Sequence, residues 1–237
     1  MDKPDPTSDS PGKLILAAIG WYILSWMPLI VAVVASVIYQ AFAGRYALSE
    51  DMLYVRTVLI QAGNDGVILA AALLKGRALG HGDVRVGLGD GPISNQSVTA
   101  LIAVLPSAYI VLVNIAHPDW MEELFIVPNS RWRRLYEIFD SVILTPLAEE
   151  LFFRGWLWTG LRRHWGALPT AVVTSALFLA VHWPSGFATI VVILPPTIAY
   201  ATARHLGRSV RASIPVHMMY NLTVMISPLV MTHFGLV

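Results

Sequence analysis

Thr145-Pro146-Leu147-Ala148-Glu149-Glu150-Leu151-Phe152-Phe153-Arg154 sets two adjacent carboxylates and a guanidinium in a run that is otherwise apolar and aromatic. Ionisable groups are costly in such surroundings, and inside a membrane they are rare and tied to a partner or to function. Read as a helix, the stretch places Glu150 and Arg154 at i,i+4 on one face, so one carboxylate brings its own charge partner. Glu149 lies about 100° round the helix and has no such partner. Polar groups for Glu149 must come from other segments, which predicts a bundle of membrane helices closing around it.

Composition agrees. Hydrophobic residues make up 56% of the 237-residue chain and charged residues 13%, against roughly 25% charged in soluble domains. Mean hydropathy is +0.62. The expected fold is therefore all-α: a polytopic transmembrane helical bundle of about seven spans, with the site inside it. A net charge of +1, with basic residues in short clusters between apolar runs, excludes nucleic acid as a partner. The absence of cysteine excludes disulfides, thiolate metal sites and a cysteine nucleophile.

Residues 1–12 are polar and hold three prolines, and are expected to form a disordered tail. Residues 13–237 then form a single membrane domain. The first span covers about 14–43, long enough to cross a ~30 Å core with tilt. Ala41-Phe42-Ala43 ahead of Gly44 resembles a signal-peptidase site, but the apolar run before it is about twice a usual h-region, so no cleavage is expected. The second span, about 53–74, is interrupted by Arg56, Gln61, Asn64 and Asp65; a helix–helix hydrogen bond near the small residues Gly63 and Gly66 is the expected role of Asp65. Residues 75–96 read as a loop, and Gly87-Leu88-Gly89-Asp90-Gly91 as a turn rather than a phosphate loop, since neither a strand nor a lysine flanks it. The third span covers about 98–116. Residues 117–137, with Trp120, Glu122, Glu123 and three arginines, read as an interfacial helix. Glu122-Glu123 has Val127 where a charge partner would stand, and is assigned a solvated role.

The remaining spans fall at about 139–161, 167–183, 187–203 and 213–234. A short turn at Pro184-Ser185-Gly186 joins the fifth to the sixth, and Pro195-Pro196 is expected to bend the sixth. Seven spans gather Lys3, Lys13, Lys75, Arg77, Arg85, Arg162, Arg163, Arg204, Arg208 and Arg211 on one side. Arg45, Arg56, Arg131, Arg133 and Arg134 fall on the other. The positive-inside rule puts the amino terminus in the cytoplasm and the carboxyl terminus outside.

The polar groups within the apolar helices of 139–237 are few: Glu149, Glu150, Arg154, His182, His217 and Asn221. His217 and Asn221 stand at i,i+4, so one helix face offers an imidazole and an amide, both able to donate to an oxygen gaining negative charge. A carboxylate in low-dielectric surroundings is a credible general base towards water, and a histidine can help orient that water. Together these are groups for attack of water on an amide carbonyl. Each has a plainer reading as a packed or interfacial side chain; their joint occurrence favours chemistry. Thr174, Ser175 and Ser185 lack a nucleophile context and read as packing hydroxyls. His164, His205 and His233 lie in loops or near ends and are left aside.

Glu149-Glu150-x-x-x-Arg154, Phe178-x-x-x-His182 and His217-x-x-x-Asn221, in this order on three spans, resemble the three motifs of the CPBP intramembrane proteases. That family includes type II CAAX prenyl endopeptidases and the bacteriocin-processing or immunity proteins also called Abi. The resemblance implies an intramembrane endopeptidase acting on a membrane-associated or lipidated, CAAX-like peptide. It further implies Glu149 as the general base, His182 holding the water, His217 and Asn221 stabilising the oxyanion, and Glu150 with Arg154 as a supporting pair. A non-proteolytic binding or immunity protein on the same bundle is the alternative. The implied partners are a peptide or protein substrate and the lipid bilayer, and the implied place is a bacterial cytoplasmic membrane.

Glu149, His182 and His217 would also make three ligands for a catalytic zinc with water as the fourth. Asn221 is a poor zinc ligand and a good oxyanion donor, which favours a metal-free reaction without a cofactor. Depth along the spans does not by itself bring the site together. At ~1.5 Å per residue Glu149 lies about 20 Å from the Arg163 end of its span, His182 about 25 Å from the Gly166 end, and His217 about 9 Å from Arg211.

Overall fold

The computed structural model describes residues 9–43, 50–78, 96–118, 120 and 131–235, among which there are helices and no strand. Apolar runs without access to backbone water must satisfy their amides within the segment, and the helix does so. The elements are α1 (Pro11–Ser25), α2 (Met27–Ala43), α3 (Glu50–Ala78) and α4 (Gln96–Ala116). A continuous rod then spans 131–161, built from α5 (Arg131–Phe139), a π-helical stretch (Asp140–Leu144), α6 (Thr145–Glu149), a second π-helical stretch (Glu150–Leu157) and α7 (Trp158–Leu161). After it come α8 (Ala167–His182), a 3-10 turn (Trp183–Ser185), α9 (Phe187–Gly207) and α10 (Val210–His233).

Six stretches are long and apolar enough to cross a membrane: Pro11–Phe42, Met52–Gly76, Val98–Ala116, Ala167–Ser185, Phe187–Gly207 and Val210–His233. The rod stands where the remaining expected span was placed. Large apolar side chains such as Leu16, Phe42, Leu168 and Val172 lie exposed on the outer faces; a contiguous apolar exterior is what lipid requires and water does not tolerate. The chain is an integral membrane protein, an all-α helical bundle.

The rod is the centre of the bundle. Phe152, Phe153, Trp156, Leu157 and Leu161 on it are wholly or almost wholly buried, and α1, α3, α8 and α10 all pack against it. Two glycines mark close approaches: a Cβ on Gly160 would stand 2.9 Å from Leu14 Cδ1, and one on Gly63 would stand 2.7 Å from Pro28 Cγ. Gly63 is thus a packing residue, as the small-residue pattern implied.

The structure departs from the sequence expectation in three places. The first span is two helices that break at Trp26, because Pro28 has no N–H for the carbonyl of Leu24; the Trp26 amide turns back to Ile23 and Leu24 instead. Its helix begins at Pro11, inside the segment assigned to the tail. The described basic part of the expected interfacial helix is no separate element: α5, with no buried residue, is the first segment of the rod.

Pro195-Pro196, where a bend was expected, leaves α9 unbroken. Prolines there leave two carbonyls without their i+4 donors, those of Val191 and Val192. Tyr109 of α4 donates its hydroxyl to Val191 O at 3.0 Å, and Tyr220 of α10 donates to Val192 O at 2.9 Å. Two neighbouring helices thus supply what the proline pair removed, as a membrane helix requires.

The expected short turn is present: Gly186 takes φ 99° between the 3-10 turn and α9, where a side chain would be strained. The tail over residues 1–8, the Ala41-Phe42-Ala43 processing site at its Gly44 end, the Gly87–Gly91 turn and the Glu122-Glu123 assignment lie outside the described residues.

Candidate active site

Glu149 closes α6 and faces inward. Its Oε1 lies 3.7 Å from His182 Nε2, and its Oε2 lies 3.8 Å from His217 Nε2. Both separations exceed a direct hydrogen bond and suit a bridging water. His182, at the end of α8, keeps 26% of its side chain exposed whereas Glu149 and His217 are buried; the site therefore opens on the His182 side.

The two imidazoles are held alike. His182 Nδ1 stands 2.7 Å from the carbonyl of Phe178. A carbonyl only accepts, so Nδ1 carries the hydrogen and Nε2 of the neutral ring offers a lone pair towards Glu149. His217 Nδ1 stands 3.2 Å from Glu150 Oε1, which is also 3.2 Å from Arg154 Nη1. A carboxylate beside a guanidinium is ionised, so here too Nδ1 is the donor. Glu150 thereby does more than pair with Arg154. It joins the rod to α10 and anchors His217 through Nδ1–H, a long-range link that no spacing in the sequence reveals.

Arg154 is fully buried. Besides Glu150, its guanidinium lies over Phe178 at 4.5 Å and beside Tyr200 at 5.4 Å, and Nη2 reaches Thr197 O at 3.5 Å. Tyr200 in turn stacks on His217, with centroids 4.2 Å apart and planes 19° from parallel, while Phe178 tilts against His182 at 4.6 Å. Aromatic faces thus clamp both imidazoles and the arginine. Tyr200 was missed in the sequence; an isolated tyrosine in an apolar span was its only signal.

Asn221 stands one turn beyond His217, and its Nδ2 donates to Ser141 O on the rod at 2.8 Å. The reason lies in the π-helix. Thr145 N–H donates to Asp140 O, an i→i−5 bond; in that register the next donor, for Ser141 O, belongs to residue 146, a proline. Asn221 replaces the missing donor and keeps its second amide hydrogen. One turn before Glu149, Thr145 donates its hydroxyl to Asp65 at 2.8 Å, with Gln61 3.4 Å from both. Asp65 therefore makes the expected helix–helix hydrogen bond.

The structure thus gathers Glu149, Glu150, Arg154, His182 and His217 into one cluster, and ties Asn221 to the rod beside it. The unequal depths along the spans do not prevent this, in part because the rod is π-wound on both sides of Glu149 and does not advance at the α-helical rise. His164, left aside on sequence grounds, bonds to Asp9 O at 2.9 Å on the exposed surface. Thr174 is occupied by its own helix, donating to Thr170 O at 2.9 Å.

Zinc asks for ligands at ~2.0–2.1 Å, which sets neighbouring donor atoms of a tetrahedron about 3.3 Å apart. The Glu149 to histidine separations are wider, 3.7 and 3.8 Å, and among the described residues no group of three or more His, Asp or Glu stands so as to hold a metal ion. The donor types suit zinc, but the arrangement as it stands does not fit one.

A buried carboxylate flanked by two fixed imidazoles inside a membrane bundle has the groups that a hydrolytic reaction would use. Residues 131–223 match the family described as Rce1-like: Type II CAAX prenyl endopeptidase Rce1-like. The segment bearing the site thus matches a family of CAAX-type intramembrane proteases. Neither a curated protein nor a solved structure matches the chain.

Proposed function

We propose that the protein is an intramembrane endopeptidase that hydrolyses a peptide bond of a membrane-associated or lipidated, CAAX-like peptide without a metal. The observation carrying this reading is the space of one water between the Glu149 carboxylate and the Nε2 atoms of His182 and His217, at 3.7 and 3.8 Å. Glu149 accepts one proton of that water, and the Nε2 lone pair of His182 accepts the other hydrogen and fixes the lone pair used in attack. The water oxygen forms the new C–O bond at the scissile carbonyl. Negative charge moves to the carbonyl oxygen, where His217, as imidazolium with Glu150 behind its Nδ1–H, donates from Nε2. The free amide hydrogen of Asn221 is the second donor. As the C–N bond breaks, Glu149 returns its proton to the leaving amine. The remaining hydrogen of the attacking water passes from the new carboxyl group to the amine, so the products are a carboxylate and an ammonium, and Glu149 is restored.

Peptide-library cleavage by purified protein, set against Glu149→Ala and repeated with a chelator, tests this. Cleavage that Glu149→Ala abolishes and the chelator leaves intact is expected. Activity surviving Glu149→Ala refutes the base, and loss with chelator refutes the metal-free route. A binding or immunity role would leave the phenotype of Glu149→Ala unchanged. With seven crossings, the amino terminus faces the cytoplasm by the distribution of positive charge.

A further inference from the structure

Beside the site a cavity of about 310 Å³ lies between α3, the rod, α9 and α10, at the end of the bundle where α3, α9 and the rod begin. Its wall includes Thr57, Glu137, Asp140, Thr145, Thr189 and Asn221. It is continuous with the catalytic groups at two points: Asn221, one turn from His217, and Thr145, one turn from Glu149.

The charge of this cavity is one-sided. Its described lining has two carboxylates and no lysine, arginine or histidine. Asp140 is only 3% exposed, and its one hydrogen-bond partner is neutral, the Tyr136 hydroxyl at 3.2 Å. Arg133, on the same helix, has its guanidinium over the ring of Tyr54 at 4.6 Å. A buried carboxylate within a membrane bundle calls for a cationic counterpart, and the cavity leaves room for one that arrives from outside the chain.

We propose that this cavity is a specificity subsite for a cationic side chain, a lysine or arginine, of the peptide substrate; the inference rests on the peptidase reading above. Asp140 lies nine residues before Glu149, at most about 13 Å along the rod, since its π-wound part advances less than an α-helix. An extended peptide advances about 3.3–3.6 Å per residue, so the basic residue stands within about four residues of the scissile bond. The same wall repels a free terminal carboxylate, which must lie away from it.

The test uses purified full-length protein in micelles and peptides that differ at one position, scanned four residues to each side of the cleaved bond, with lysine, norleucine or glutamate there. At one position lysine should exceed norleucine in kcat/KM by about tenfold, with glutamate lowest. In Glu137→Gln/Asp140→Asn the lysine-to-norleucine ratio should fall to about one. Glu137→Lys, at a partly exposed position and tolerant of folding, should shift preference towards glutamate. Equal turnover of lysine and norleucine peptides at all positions, or a ratio unchanged in both variants, overturns the subsite. Anisotropy of the labelled lysine and norleucine peptides on Glu149→Gln protein scores the subsite without turnover: charge-dependent binding lost in Glu137→Gln/Asp140→Asn supports it, and charge-independent binding overturns it. Failure to cleave any peptide would instead overturn the peptidase reading, while the binding arm still judges the cavity.

Discussion

Asn221 has one observed job and one proposed, and two substitutions can tell them apart. Its Nδ2 donates to Ser141 O at 2.8 Å because Pro146 cannot; in the proposed reaction its other amide hydrogen meets the oxyanion. Asn221→Ala removes both. Leaving a buried carbonyl unsatisfied costs about 1–3 kcal/mol of stability. Losing one oxyanion donor lowers kcat by about 10²–10³, or ~2.7–4 kcal/mol of transition-state stabilisation. Pro146→Ala gives residue 146 an N–H in the π register, so it should replace the structural donor and leave the oxyanion without one. In Pro146→Ala/Asn221→Ala the unfolding free energy should then recover most of the loss while kcat/KM stays at the Asn221→Ala level. Denaturant unfolding in mixed micelles and peptide cleavage, run on the four proteins of the cycle, read the two quantities separately. If activity recovers along with stability, Asn221 is a backbone clamp and not an oxyanion donor. Stability unchanged by Asn221→Ala would instead refute the reasoning about the Ser141 carbonyl.

The same logic applies to α9. Tyr109→Phe and Tyr220→Phe should each cost about 1–3 kcal/mol in wild type and much less beside Pro195→Ala and Pro196→Ala respectively; coupling below about 0.5 kcal/mol in those cycles would refute the assignment. The two glutamates should part company under mutation. Glu149→Gln should abolish cleavage with little change in unfolding, whereas Glu150→Ala leaves buried Arg154 without its 3.2 Å partner and should cost about 3–5 kcal/mol, both read by the same unfolding and cleavage assays. Since the chain has no cysteine, single cysteines at Arg163 and at Phe234 can be labelled from either face of sealed vesicles. Arg163→Cys should react from the cytoplasmic face and Phe234→Cys from the opposite one; labelling of both from one face would refute seven crossings.

What was legible in the sequence, and what was not, divides along a physical line. Helices and spans were legible because apolar length is a local property: the fifth, sixth and seventh spans were placed within a few residues of α8, α9 and α10. The site residues were legible because a charge in an apolar run is conspicuous whatever surrounds it, and five of the six named side chains meet in one cluster. What stayed hidden depends on backbone donors and acceptors. Pro195 and Pro196 could be read only as a bend, and Pro146 drew no reading, because the sequence shows the N–H that a proline lacks but not the side chain that replaces it. In each case that donor lies on another helix: Asn221 for Ser141 O, Tyr109 for Val191 O and Tyr220 for Val192 O.

Two of those three donors, Tyr220 and Asn221, are adjacent on α10 and follow His217 by three and four residues. One turn of α10 therefore does three things: it presents an imidazole to Glu149, repairs the π-wound rod that carries Glu149, and repairs the proline pair of α9. The π windings flank Glu149 on both sides, and a plain α-helix through the rod would rotate Ser141 and Glu149 relative to each other and separate the Asn221 anchor from the His217 contact. The irregular pitch of the rod, invisible as a residue pattern, is thus what allows consecutive turns of α10 to hold the rod and serve its carboxylate together.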